Sequence, residues 1–300
     1  MINVLVTGRA IPNRIGYSTA EQLVEGFKQA GHNAFFYGNF YQQHYNWLGV
    51  KDLQSIDKID LWIYTEMNDG DPQYGQLFNY FKLKNTPTLY QDYDVSYQPE
   101  RNLAFAKSLP FASYLVANRL FFDKFAELGK PILFSPYGFS PHIHRILPEV
   151  AKEHMFGFIG SITPERQELI NQLESLGEKV YVTQAFGEDL IRETNKIHIM
   201  LHRQQGGCKG LMPGRPTETM GAGTMILTHN DDMEDIRVAL PLVPFLSYGS
   251  EEDLKSIIKM TKEGVIPSIA RSAHMLVNKY HTYKVRAESI VKFCRGKQLL

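Results

Sequence analysis

A glycine-rich stretch in the second half of the chain carries the residues best suited to binding an anion. A predicted strand ends at Leu201, a glycine-rich loop containing Lys209 follows, and a short helix begins near Pro216, directly after Arg215. Free backbone N–H groups and the positive end of the dipole at a helix start attract phosphate oxygens. Arg215 can bind a phosphate through two parallel hydrogen bonds, whereas Lys209 supplies a point charge. The pattern therefore indicates a phosphate-binding site.

Three further polar residues lie beside this loop. His202 and Arg203 directly follow the predicted strand that ends at Leu201, so we expect them to line the same site. Glu218 falls in the first turn of the short helix, where a carboxylate is electrostatically favourable. It can accept hydrogen bonds from a ribose diol, as acidic residues do in nucleotide sites. Taken alone, the residue is better explained as a favourable charge at the start of the helix.

A second polar loop, 160–166, follows the first predicted strand of the second half. Gly160 and Ser161 end that strand, and Pro164 is suited to the first turn of the helix that comes next. Arg166 can reach from this helix toward an anion, or it can remain a solvated arginine on the helix surface. Parallel strands place such loops at one edge of the sheet, which is where ligands bind in folds of this class.

Two loops of the first half contain further candidates. The loop 8–16 lacks the Gly-x-Gly-x-x-Gly pattern of dinucleotide-binding proteins, which argues against an NAD site. Gly16 lets a substrate approach the backbone closely, although a plain turn is an equally good interpretation. Asp92 and Asp94 follow another predicted strand. They can act as a general base, bind a metal or cap the loop.

Short apolar runs alternate with helical patterns along the whole chain, which is typical of strand–helix units around parallel sheets. Prolines and glycines cluster at about 137–152, and the hydrophobic residues there follow neither the helical nor the strand period. This predicts a linker. The two halves show the same α/β architecture, which predicts two Rossmann-like domains facing one another across a cleft. The predicted strands are 2–7, 33–37, 60–64, 88–91, 113–117, 131–135, 155–159, 179–183, 197–201 and 224–228. The predicted helices are 17–30, 101–108, 119–128, one from 164, one from 216, 251–262, 268–278 and 284–294.

The composition is that of an ordinary globular protein. The 300 residues include 32 Lys and Arg and 32 Asp and Glu, so the formal net charge is zero. This balance argues against a protein that mainly coats nucleic acid or an anionic membrane. No apolar run approaches the ~18 residues of a membrane span, and the N-terminus lacks a signal-peptide pattern. Because Cys208 and Cys294 cannot form a disulfide framework, we expect a cytoplasmic protein.

The order and spacing of several motifs resemble those of a known enzyme family. The strand, Gly-Ser loop and helix at 155–170, followed by 215–223 with Arg215 and Glu218, resemble the donor half of GT-B glycosyltransferases. More narrowly they resemble the CgeB-like branch near family 4, with its Arg-x-x-Glu-Ala-x-Ala-x-Gly pattern. The strand, turn and helix from Val243, the Pro-Tyr-Gly before the linker and the His-Thr-Tyr-x-x-Arg at 281–286 are also similar. The resemblance covers most of 130–290.

The resemblance implies transfer of a sugar from a nucleotide diphosphate sugar to an acceptor, with protein groups rather than a metal stabilising the diphosphate. It implies an acceptor-binding domain at 1–145, a donor-binding domain at 146–280, and a C-terminal helix at 281–300 that packs back on the first domain. In the first domain we assign Gly16 and Tyr17 to acceptor binding and Asp92 or Asp94 to catalysis. The donor-binding residues are then Gly160, Ser161, Arg166, His202, Arg203, Lys209, Arg215 and Glu218.

Two positions depart from the family 4 pattern. Gly210 stands where a second glutamate is usual, and Ser161 stands where an arginine is usual. These departures motivate an alternative in which the protein binds a nucleotide or sugar without catalysis. The acceptor class also stays open between a glycan, a protein, a small molecule and a modified DNA base. An NAD-linked oxidoreductase is the weakest hypothesis, since its glycine fingerprint is absent.

Overall fold

Two compact units make up the part of the chain that the structure describes. The computed structural model describes residues 1–9, 18–39, 58–65, 85–92, 99–204 and 214–300. The first unit combines Met1–Tyr137 with Tyr283–Leu300, and the second comprises Gly138–Thr282. The chain therefore leaves the first unit at Tyr137 and returns to it at Tyr283, whereas the sequence pattern places these boundaries after residues 145 and 280.

Eleven strands and ten helices lie in the described residues. The strands are β1 (Asn3–Arg9), β2 (Asn33–Asn39), β3 (Leu61–Thr65), β4 (Thr88–Asp92), β5 (Ser113–Val116), β6 (Ile132–Phe134), β7 (His154–Ile159), β8 (Val180–Thr183), β9 (Ile197–His202), β10 (Met225–His229) and β11 (Leu246–Tyr248). The helices are α1 (Thr19–Gln29), α2 (Pro99–Ser108), α3 (Phe122–Ala126), α4 (Pro164–Ser175), α5 (Gly187–Asn195), α6 (Arg215–Gly221), α7 (Asn230–Ala239), α8 (Glu251–Lys262), α9 (Ile266–Tyr280) and α10 (Tyr283–Gly296).

Each unit contains one parallel sheet. The first sheet has the strand order β2-β1-β3-β4-β5-β6 and the second has the order β11-β10-β9-β7-β8. In both, the first strand of the unit lies between the second and the third, so the strand order reverses beside it. Because all strands run the same way, their carboxyl ends share one edge of each sheet. Ligands in doubly wound folds bind at that edge, beside the reversal.

Helix α1 shows how local sequence and packing combine in the first unit. The Ser18 hydroxyl accepts a hydrogen bond from the Glu21 N–H at 3.2 Å, and the Glu21 carboxylate accepts one from the Ser18 N–H at 3.1 Å. Gly31, with a φ of 80°, follows the helix in the conformation that glycine favours. A Cβ at Gly26 would overlap the backbone of Tyr283, so α10 approaches α1 closely. These two helices and the sheet enclose one hydrophobic cluster.

The sequence pattern predicts neither α5 nor α7. The inward face of α7 carries Asp232 and Asp235 as well as Ile236 and Ala239, so polar residues interrupt the apolar period. Helix α5 has nine residues and buries one hydrophobic residue, Ile191, beside Thr194 and Asn195, so it is too short for an apolar period to repeat. Periodicity finds helices only where the buried face is apolar.

The segment after Tyr137 is irregular, as predicted, but it is packed rather than free. Phe139 is fully buried in the main hydrophobic cluster of the second unit, and its N–H donates to the carbonyl of His281 at 3.3 Å. Asn195 accepts from the N–H of Leu147 at 2.9 Å and donates to the carbonyl of Arg145 at 3.0 Å. The predicted linker is therefore part of the second unit.

Candidate functional site

The centre of the second sheet brings two loops to the same edge. Strands β7 and β9 are neighbours, and the strand order reverses between them. The loop after β7 begins with Gly160, whose φ of 139° is a conformation that residues with a side chain rarely adopt. Arg203 follows β9 directly. The sequence prediction places Gly160, Ser161, His202 and Arg203 in one site, and the structure brings their loops together.

Arg166 ties these two loops to each other. Its Nε donates to the carbonyl of Arg203 at 3.2 Å, and its Nη1 donates to the carbonyl of Ser161 at 2.8 Å. The guanidinium also lies 5.2 Å from the centre of the Phe158 ring, a cation–π contact. The sequence pattern predicts that Arg166 reaches toward an anion. In the structure two of its donors bind backbone oxygens and join the two loops, and its role in binding an anion stays a prediction.

The guanidinium of Arg203 is balanced by two carboxylates in the first turn of α7. Its Nη1 donates to Asp232 at 2.8 Å, and its Nη2 lies 3.6 Å from Asp231. The same Asp232 oxygen accepts the N–H of Gln204 at 3.0 Å. The Asp232 side chain is only 4% exposed, so this pairing satisfies a buried charge. Arg203 is therefore fixed by α7, and its positive charge is locally neutralised.

His202 and Arg215 present buried nitrogen atoms at this edge. Nε2 of His202 and Nη1 of Arg215 are buried, and neither has a hydrogen-bond partner among the described residues. Burial lowers the pKa of His202 to about 4; Asp232 opposes this, and Arg166, Arg215 and Arg203 add to it. The His202 ring is therefore neutral at neutral pH. Buried nitrogens left without a partner cost free energy until a ligand pairs with them.

Glu218 lies on α6 with His144 close by. Its Oε1 is 3.7 Å from Nε2 of His144, and its side chain is 23% exposed. The spacing of His142 and His144 allows the pair to chelate a metal, but no third ligand lies near them in the sequence. In the structure His142 is exposed while His144 is buried, and no group of metal-binding side chains occurs within the described ranges. The two histidines therefore face different surroundings.

Helix α6 is short and tightly held. It has seven residues, and its proline at position 216 offers no backbone donor to a ligand. The Thr217 hydroxyl donates to the carbonyl of Gly214 at 2.7 Å. At the other end, Nδ1 of His274, in the tautomer that carries hydrogen there, donates to the carbonyl of Gly221 at 2.9 Å. These contacts fix the backbone that carries Arg215 and Glu218.

In the first unit the structure describes one of the two predicted catalytic aspartates. Asp92 ends β4, is 2% exposed, and its Oδ1 accepts a hydrogen bond from Asn102 at 3.3 Å. The remaining predicted site residues, Gly16, Tyr17, Asp94 and Lys209, lie outside the described residues. Their roles, that of Asp92 and those of the predicted donor-binding residues stay predictions.

Sequence reasoning missed Asp232, His144 and His274 as parts of this site. The two adjacent aspartates after a strand are a helix-start signal, and that signal was available to find Asp232. The spacing of His142 and His144 draws attention to metal binding only, and it gives no sign that His144 lies beside Glu218. Nothing in the sequence around His274 distinguishes it from any other helix residue.

No protein-family model matches the chain, and no curated protein resembles it significantly in sequence. Among solved structures, an alpha-glucosyltransferase in complex with UDP and a 13-mer DNA gives a TM-score of 0.70 at 10% identity, covering 97% of this chain and 99% of that chain. Sucrose-phosphate synthase from Thermosynechococcus elongatus gives 0.62 at 10% identity, covering 99% of both chains. HepE from Anabaena, in complex with UDP and glucose, gives 0.59 at 13% identity, covering 99% of this chain and 100% of that chain.

These similarities extend over nearly the whole length of both chains and establish the fold. The chain has the GT-B fold, an α/β architecture with two parallel sheets, and the sequence-based prediction of that fold is confirmed. The narrower CgeB-like branch stays a prediction. None of the described helices is long and apolar enough to cross a membrane.

Proposed function

We propose that the protein is a glycosyltransferase that uses a uridine diphosphate sugar as its donor and binds it at the carboxyl edge of the second sheet. One observation carries this proposal: Nη1 of Arg215 and Nε2 of His202 are buried beside the strand reversal without a partner among the described residues. A diphosphate supplies the oxygens that such nitrogens lack. The structural neighbours in complexes with UDP support uridine as the base.

The roles of the donor-site residues follow from their contacts. Arg215 binds the diphosphate and stabilises the charge that grows on it as the sugar leaves. His202 is neutral, because burial lowers its pKa to about 4, so it contributes a hydrogen bond rather than a charge. Glu218 accepts hydrogen bonds from the ribose hydroxyls. Arg166 and Arg203 hold the two loops in place, while Gly160 and Ser161 let the donor approach the backbone.

The reaction breaks the bond between the anomeric carbon and the diphosphate oxygen, and its electron pair leaves with UDP. A bond forms between that carbon and an acceptor oxygen, whose proton passes to a base. We assign the base to Asp92 or Asp94 if the configuration inverts. We further propose that protein cations rather than a metal stabilise the leaving group, with Lys209 contributing.

The proposal also covers the acceptor site, the location of the protein in the cell and its branch of the enzyme family. We place acceptor binding in the first unit, at Gly16 and Tyr17. DNA carrying a modified base belongs in the acceptor panel, because one neighbour is an alpha-glucosyltransferase in complex with a DNA that contains an HMU base. We propose a cytoplasmic location and membership of the CgeB-like, family 4-like branch, on the strength of the motif at 215–223.

Thermal stabilisation by UDP, GDP, ADP, CMP, TDP and NAD tests the donor site. UDP at about 100 times its Kd adds ~2.7 kcal/mol to the free energy of unfolding, a readily measured shift. Arg215→Ala abolishes the shift, whereas Arg192→Ala, at an exposed arginine on α5, leaves it unchanged. A shift with NAD alone, or with none of the six, contradicts the proposal.

Release of UDP from UDP-sugars distinguishes the enzyme from the non-catalytic alternative. The enzyme releases UDP when the correct sugar and acceptor are supplied, and Arg215→Ala releases far less. The alternative outcome is a protein that UDP stabilises but that releases no UDP from any of the UDP-sugars tested, with or without an acceptor. That result identifies the non-catalytic binding protein that Gly210 and Ser161 suggest.

A further inference from the structure

His144 sits in a segment that is fixed on both sides. Its own N–H donates to the carbonyl of Ser140 at 2.9 Å. On the following side, Asn195 bonds to the carbonyl of Arg145 and to the N–H of Leu147. Ahead of it, Phe139 is fully buried in the core of the second unit. The imidazole is therefore presented by a rigid backbone.

The imidazole of His144 lies beside Glu218, and one of its nitrogens has no hydrogen-bond partner among the described residues. The residue is 5% exposed, and the nitrogen concerned, Nε2, is buried. Glu218 Oε1 lies 3.7 Å from this nitrogen, just beyond hydrogen-bonding distance. Burial lowers the pKa of His144; the charge of Glu218 opposes this, while Arg215 and His142 add to it. A lowered pKa favours the neutral ring, and in the tautomer that carries hydrogen on Nε2 this ring can donate to the carboxylate.

We propose that His144 is a positioning residue that donates its Nε2–H to Glu218 and holds the carboxylate so that it accepts the two ribose hydroxyls of the nucleotide. This inference rests on the proposed function. A small rotation of the partly exposed glutamate closes the 3.7 Å gap.

A neutral donor is suited to this task for two reasons. A carboxylate has about four acceptor sites, so a third donor is accommodated beside the two ribose hydroxyls. A lysine or arginine in the same place would neutralise the carboxylate and weaken its hydrogen bonds to the ribose. The imidazole orders the glutamate side chain before the nucleotide arrives and leaves its charge intact, which reduces the entropy lost on binding.

Discrimination between UDP and 2′-deoxy-UDP tests the proposal. The wild type binds UDP more tightly by about tenfold, the effect of one hydrogen bond to a charged acceptor. Glu218→Gln and His144→Phe both bring the ratio of the two Kd values toward one, and the double variant lowers it no further. His144→Gln retains an N–H in a similar place and retains the discrimination. His142→Phe, at the exposed histidine two residues away, leaves the ratio unchanged.

The outcomes separate a positioning role from a structural one. A His144→Phe variant that weakens UDP and 2′-deoxy-UDP by the same factor overturns the inference, as does an unchanged ratio. If His144→Phe does not fold, His144→Asn provides the same comparison with a side chain too short to reach Glu218. A wild type that binds no nucleoside diphosphate overturns the proposed function and this inference together. UDP binding with unaltered discrimination in His144→Phe or His144→Asn overturns this inference alone.

Discussion

Arg166 donates from Nε to the carbonyl oxygen of Arg203 across 3.2 Å, and this bond joins the loops that follow β7 and β9. Arg203 in turn is held by Asp232. Two of the arginines near the strand reversal therefore bind the protein itself, whereas Nη1 of Arg215 lacks a partner within the described part of the chain. The sequence assigns Arg166, Arg203 and Arg215 alike to donor binding, but their contacts in the structure differ.

Replacing Arg166 with methionine removes the bonds to Ser161 and Arg203 but keeps the contact with the Phe158 ring. We expect a loss of about 1–2 kcal/mol in the free energy of unfolding, since two hydrogen bonds from a charged donor disappear at a partly exposed site. UDP binding weakens as well, because the loops are no longer held together. Denaturant unfolding and UDP titration measure both effects, with Arg192→Met as the exposed control. Unchanged stability with lost UDP binding would instead mean that Arg166 touches the ligand.

Gly221 permits the close approach of α6 to the core. A Cβ at this position would overlap the ring of Phe139, which is fully buried. We expect Gly221→Ala to lower the free energy of unfolding by roughly 1–3 kcal/mol through overpacking. Combining it with Phe139→Leu relieves the overlap, so the two changes are not additive. Gly296→Ala, at a helical glycine with open space around it, is the control and leaves stability nearly unchanged. Additive losses in the double variant would contradict this account.

Acid weakens the second unit through His202. The folded protein holds this histidine at a pKa of about 4, while the unfolded chain titrates near 6.5. Between these values the unfolded state binds more protons, so stability falls as the pH is lowered through this window. The full loss attributable to His202 is roughly 3 kcal/mol. His202→Gln has a flatter dependence of Tm on pH between 7 and 4, whereas His142→Gln behaves as the wild type. Equal slopes in all three proteins would refute the assignment.

The sequence by itself determined the alternation of strands and helices and the places of Arg215 and Glu218 on a short helix after a strand. Helix α8 occupies the predicted residues, because Ser250 and Asp253 cap it reciprocally and its apolar residues keep a helical period. These properties depend on neighbours within a few positions of the chain, and a single sequence records them directly. The order and spacing of the motifs between 130 and 290, taken together, also indicated the GT-B fold.

Only the tertiary structure decided which of the polar residues bind the protein and which are left for a ligand. The bond from Arg166 to Arg203 spans 37 positions of the chain, and that from Arg203 to Asp232 spans 29. His144 meets Glu218 only because an irregular, proline-rich segment packs beneath α6. The free energy of such a contact depends on burial and geometry, which the order of residues does not record. The sequence records the charge and type of each residue, but only the fold determines whether a polar side chain is already bonded within the protein or can bind a ligand.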